Sequence, residues 1–151
     1  MDDASSKPTD TKQRAEQGVD SDRIYVIQDH HLKTLASQSR NSDDLWSSQY
    51  FCKEFRIGKQ PAFLIYQSAS AERKSSVNAY LNSCPHRGIP LNWQPDMFLD
   101  EDSELIHCSS HGARFRVGDG FCVSGPCAGQ SLTALKTTRI GGAWEISMQS
   151  R

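Results

Sequence analysis

Cys84 and His86 stand one residue apart in "CPHRG", Cys108 and His111 stand two apart in "CSSHG", and 21 residues separate the pairs. The chain has no other Cys-x-His. Thiolates and imidazoles bind soft and borderline metals, so this donor set excludes calcium and magnesium, which take oxygen ligands. Zinc, four-coordinate with two Cys and two His, suits the four side chains. Iron with inorganic sulfide suits them too, and the spacing alone does not separate the two. The five cysteines (Cys52, Cys84, Cys108, Cys122, Cys127) cannot all pair within one chain, and no export signal precedes them, which favours metal ligation over a disulfide frame.

The composition excludes several other roles. A formal net charge of −1, with neither Lys/Arg blocks nor a basic stripe, gives no general attraction to nucleic acid or anionic membrane. No apolar run approaches the roughly 18 residues that a bilayer-spanning helix needs. The N-terminus is acidic and polar where a secretory signal would be basic and then apolar, so the expectation is a cytoplasmic protein. Residues 1–22 hold six acidic and three basic side chains and almost nothing to bury, which predicts a disordered acidic tail before one domain at 23–151. There is no internal repeat, P-loop or dinucleotide-binding glycine pattern.

The elements that must position the four ligands read as short β-rich runs between turns. "RIYVIQ" (23–28), "FCKEFRI" (51–57), "AFLIYQS" (62–68), "SVNAYLN" (76–82), "ELIHC" (104–108), "ARFRV" (113–117), "GFCVSG" (120–125), "TALKTTRI" (133–140) and "AWEISM" (143–148) are predicted strands. Residues 31–50 predict a short helix followed by a loop, with His30 and His31 as loop residues. Gly118-Asp119-Gly120 and Gly141-Gly142 supply positions for tight turns. The fold class that follows is all-β, an antiparallel sandwich or barrel.

On "CPHRG" and "CSSHG" together, over about residues 51–148, the chain resembles the Rieske family of iron–sulfur proteins. Gly125-Pro126 is similar to that family's proline-bearing loop over the cluster. The resemblance implies a Rieske-type sandwich or barrel with a two-loop cluster-binding subdomain and one [2Fe–2S] cluster per chain. Cys84 and Cys108 would hold one iron, and His86 and His111 the other, with sulfides bridging them. The interval between the loops is a few residues longer than is usual in the family, and "PDMFLDEDSE" is the expected site of an extended turn. Two thiolates and two neutral imidazoles carry less negative charge than four thiolates, which eases reduction, and Gly88 and Gly112 let backbone N–H groups approach the sulfurs.

The resemblance also places the potential. High-potential members carry an extra cysteine in each loop, where this chain has Ile89 and Ser110, and hydroxyl donors where it has Ala113 and Phe115. Fewer donors to sulfur leave the reduced state less stabilised, so a low potential is expected. The implied function is that of a soluble ferredoxin passing single electrons from a reductase to an oxygenase or other acceptor, with no bond chemistry of its own. The alternative is a small subunit or Rieske component of an oxidoreductase or oxygenase complex. A mononuclear iron site built from two histidines and a carboxylate is not expected, since no histidine follows His111.

Among the remaining residues, Cys122 and Cys127 are expected as reduced, small apolar groups under the cluster loops, and Trp93 as a hydrophobic prop beneath the first loop. His107 is expected as a surface or core histidine, and Asp100, Glu101, Asp102 and Glu104 as a solvated loop. Arg87, Arg114 and Arg116 form either a basic docking rim for an acidic partner or ordinary solvated charges.

Overall fold

The computed structural model describes residues 24–39, 50–85, 87–100 and 104–149. The acidic tail at 1–22 and His86 lie outside the described residues, as do 40–49 and 101–103. Strand β1 (Ile24–Gln28) leads into helix α1 (Asp29–Ser39), and β2 (Tyr50–Ile57), β3 (Gln60–Gln67) and β4 (Ser76–Leu81) follow. The short strands β5 (Ile106–His107), β6 (Arg114–Phe115) and β7 (Cys122–Ser124) come next, then β8 (Lys136–Ile140) and β9 (Ala143–Ser147). These strands form three antiparallel three-stranded sheets, ordered β1-β9-β8, β2-β3-β4 and β5-β6-β7. Each predicted run contains a strand, and the all-β expectation holds.

The middle sheet is covered on both faces. Strand β3 is buried at five successive positions, Ala62 to Tyr66, because alternate side chains enter different cores. Ala62, Leu64 and Tyr66 join Phe55, Val77, Ala79, Trp144 and Ile146 in one. Phe63 and Ile65 join Tyr80, Leu91, Phe115 and the cysteines in the other. The β2-β3-β4 register puts Glu54, Phe63 and Tyr80 abreast on that second face. Cys84 and Cys108 are thus built onto the back of the middle sheet.

His30 and His31 lie in α1 and not in a loop. The helix forms there because Leu32 and Ala36, one turn apart, drop into the first core. Asp29 adds a negative charge at the N-terminal end, and its backbone N–H is tied to the carbonyl of Gly142 at 2.8 Å.

The three strands nearest the site are shorter than their sequence runs. A register irregularity at Arg114/Phe115 and the tight turns on either side leave room for only two or three ladder residues each. Across the expected extended turn, the described residues 98–100 and 104–107 pair antiparallel, and one of them is a core residue. Phe98 is buried and stacks on Phe63, with ring centroids 4.1 Å apart and planes at 8°. The His107 N–H bonds to the Phe98 carbonyl at 2.8 Å, and Leu99 bridges to Ile106.

Candidate metal centre

Two loops carry the candidate ligands, and one backbone frame is used twice. In the first, the Cys84 N–H donates to the Ile89 carbonyl at 2.8 Å and the Gly88 N–H to the Cys84 carbonyl at 2.7 Å. In the second, the Cys108 N–H donates to the Ala113 carbonyl at 2.8 Å and the Gly112 N–H to the Cys108 carbonyl at 2.8 Å. Each loop therefore runs from a cysteine to a glycine four residues on, and both glycines have positive φ, +72° and +73°. That conformation is what turns the chain back, and it costs glycine little. The glycine amides close on carbonyls, so the donors to sulfur come from elsewhere in the loop.

Cys84 and Cys108 are both fully buried. Burial pushes the Cys108 thiol up, and the neighbouring Cys84 thiol adds to the rise; the backbone N–H groups of His111 and Ser110, aimed at the Cys108 sulfur, act the other way. Two adjacent thiols in a dry pocket are poorly placed as anions by themselves, and a bound cation would relieve that cost. His111 sits on the outer part of its loop, half-buried, with Nδ1 shielded from solvent. The donor chemistry thus fits a cluster held by thiolates on the inner side.

The loops are locked to each other and to the sheet. Ser109 N–H donates to the Leu91 carbonyl at 2.7 Å, and Leu91 N–H to the buried Asn82 Oδ1 at 2.8 Å. Asn82 Nδ2 reaches Asn92 Oδ1 at 2.9 Å, and Asn92 Nδ2 reaches Glu54 Oε1 at 2.9 Å. This chain of polar groups runs from the end of β4 across the segment after the first loop to β2. Sequence inspection missed it because no motif marks an Asn-to-Asn relay between strands distant in sequence.

Trp93 is not a prop. It is 75% exposed and donates from Nε1 to Ser110 Oγ at 3.1 Å, while Leu91 and Phe98 are the residues on either side of it that enter the core. Arg114 and Arg116 do not stand as a free basic rim. Arg114 Nε pairs with Asp100 at 2.9 Å, and Arg116 pairs with Asp119 while lying over the Phe121 ring. Asp100 is accordingly a partner to a strand residue and no mere loop charge. Arg87 is exposed and His107 half-buried.

A third turn closes the site. Cys127 and Cys122 are buried with their sulfurs 3.3 Å apart, and Gly125 between them packs against the second loop. Desolvation raises the Cys127 thiol well above its ordinary range, with Cys122 and then Cys84 contributing, so Cys127 adjoins the first ligand loop.

A family model described as Rieske [2Fe–2S] domain matches residues 37–139. Among solved structures, the chain is similar to a chain in the complex of reduced oxygenase and oxidized ferredoxin in carbazole 1,9a-dioxygenase, at 19% identity and a TM-score of 0.52 over 87% of this chain and 98% of that one. It is also similar to the terminal oxygenase of carbazole 1,9a-dioxygenase from Novosphingobium sp. KA1, at 15% identity and a TM-score of 0.51 over 86% of this chain. Only 31% of that longer chain is covered. The ferredoxin of carbazole 1,9a-dioxygenase from Nocardioides aromaticivorans IC177 is similar at 20% identity and a TM-score of 0.48, over 66% of this chain and 86% of that one. No curated protein matches the sequence. At these identities the structural likeness speaks for the fold. Among the described residues, no helix is long and apolar enough to cross a membrane.

Proposed function

Because the chain belongs to the Rieske [2Fe–2S] domain family, we propose that it is a one-electron carrier of the ferredoxin kind, in which Cys84 and Cys108 would hold one iron and His86 and His111 the other. The cluster that this family carries takes up and releases a single electron. The chain's own part is to bury the two thiols, to aim the amides of Ser110 and His111 at the Cys108 sulfur, and to keep His111 nearer the surface than the cysteines. The observation that carries the reading is the repeated loop frame, with both cysteines buried at its start inside the family's matched span.

A low potential goes with this reading. Ala113 and Phe115 are fully buried and apolar, so neither offers a hydroxyl to the sulfurs, and neither Ile89 nor Ser110 can form a cross-loop disulfide. The donor is a reductase and the acceptor an oxygenase or other redox protein in a cytoplasmic setting. That circuit is supported by likeness over 98% of a chain from a ferredoxin–oxygenase complex, against about a third of a terminal oxygenase. The chain is organised as an acidic tail before one cluster-binding domain.

Anaerobic purification tests the proposal. The expected result is coloured protein with two irons and two acid-labile sulfides per chain, and a potential below about +200 mV, in the lower part of the Rieske span of roughly −150 to +300 mV. Serine at Cys84 or Cys108, or alanine at His86 or His111, is expected to abolish the visible spectrum. Colourless protein holding zinc on the four intact side chains would overturn the reading.

A further inference from the structure

Cys122 and Cys127 belong to neither ligand pair, yet their sulfurs touch. The thiol of Cys127 points at Cys122 Sγ at 3.3 Å, in a turn pinned at both ends by its backbone. Cys122 N–H donates to the Gln130 carbonyl at 2.8 Å, Gly129 N–H to the Cys122 carbonyl at 3.1 Å, and Gln130 N–H to the Cys127 carbonyl at 2.9 Å. A disulfide needs sulfurs about 2.05 Å apart, so a shift of little more than 1 Å, shared between two side chains, would close the bond without moving the strand. Cys52 is also buried, though less completely.

We propose that Cys122 and Cys127 form a redox-active dithiol that closes to a disulfide across the Gly125-Pro126 turn. With a low-molecular-weight disulfide as oxidant, the Cys122 sulfur attacks one oxidant sulfur, forms a mixed disulfide and releases the first small thiol. The Cys127 sulfur then displaces the second, forming the Cys122–Cys127 bond. Two protein thiols lose two electrons and two protons, and one small disulfide becomes two thiols. Cys127 faces inward toward Cys84, which makes Cys122 the entry point; both thiols are buried, so the exposed turn Val123–Pro126 opens to admit the oxidant. The closed bond ties the turn across its mouth. Gly125 of that turn rests on Ala113 of the second ligand loop, so oxidation fastens the cover over the candidate metal centre. That covering role rests on the proposed function, whereas the thiol pair does not.

The test uses the cluster-loaded full chain, equilibrated without oxygen in glutathione buffers from fully reduced to fully oxidised, quenched in acid, alkylated and digested with trypsin. The peptide Val117–Lys136 contains these two cysteines and no other. Under reducing buffer it is expected to carry two alkyl groups. Under oxidising buffer it is expected to carry none and to be lighter by two hydrogens, with a two-electron midpoint. Cys122→Ser and Cys127→Ser should each abolish that species. Both cysteines remaining alkylatable in the most oxidising buffer, or appearing bonded to other peptides, would overturn the pair. Visible absorbance should decay several-fold more slowly in the oxidised form during chelator challenge, and equal decay rates would overturn the covering role while leaving the electron-carrier reading intact.

Discussion

Gly125 lies against Ala113 so closely that a Cβ on the glycine would stand 2.6 Å from the Ala113 Cα. Its φ of +99° is one that side-chain-bearing residues rarely adopt. A turn far along the chain is therefore fitted onto the loop that carries Cys108 and His111. Gly125→Ala meets backbone and strain together, and should cost about 2–3 kcal/mol, read as a lower denaturation midpoint. Gly112→Ala, at φ +73° with nothing within 4 Å of the added Cβ, should cost only about 1 kcal/mol. Equal losses would show that the close approach to Ala113 contributes nothing.

Asn82 joins the end of β4 to the segment between the loops. Asn82→Ala strands the Leu91 N–H and the Asn92 Oδ1, both in or beside the second core. Leaving buried polar groups unpaired costs about 1–3 kcal/mol, so the urea midpoint should fall with an unchanged slope. Because Leu91 also receives the Ser109 N–H, the second loop loosens with the first, and cluster loss under a chelator should accelerate. Normal cluster retention alongside the stability loss would confine Asn82 to a structural role.

The candidate ligands were legible because metal chemistry restricts both residue type and spacing, and the four side chains sit in two short, local motifs. Strand alternation was legible in β2 for a similar local reason, since one side of the period enters each core. What stayed hidden depends on partners distant in sequence. Trp93 has the composition of a core residue, yet it lies outside while Leu91 and Phe98 take the core positions. Arg114 reads as a surface charge until the pairing of 98–100 with 105–107 brings Asp100 beside it. His30 and His31 read as loop residues because the apolar positions of α1 are few, and its stability comes from docking Leu32 and Ala36.

Cys52 offers a check on the rigidity of the supporting sheet. Burial, with the charge of Asp96 adding and the backbone N–H of Phe98 opposing, pushes its thiol up to about 12. The thiolate is the reacting species, so native protein should show no alkylation of Cys52 at pH 8 over hours, while denatured protein reacts fully. The tryptic peptide from Asn41 to Lys53 isolates this residue. Ready labelling in the native state would mean that β2 opens locally.

Asp29 sets an acid limit on stability. Burial alone would raise its carboxyl, but hydrogen bonds from Lys33 and Trp144 and the charges of Lys33 and Arg139 outweigh it and hold the group below the usual carboxylate range. The folded state therefore binds the proton less readily than the unfolded chain. The carboxylate's contribution is fully present above the unfolded value of about 3.9 and is lost as pH falls through the lower folded value. Asp29→Asn keeps the side-chain size, removes the charge opposite Lys33 and Arg139, and should cost about 1–2 kcal/mol near pH 7. The difference between the two proteins should shrink steadily below about pH 4 as the native carboxyl protonates. A constant difference from pH 7 to pH 2 in denaturation experiments would show that the packing of the side chain, and not its charge, joins α1 to β8 and β9.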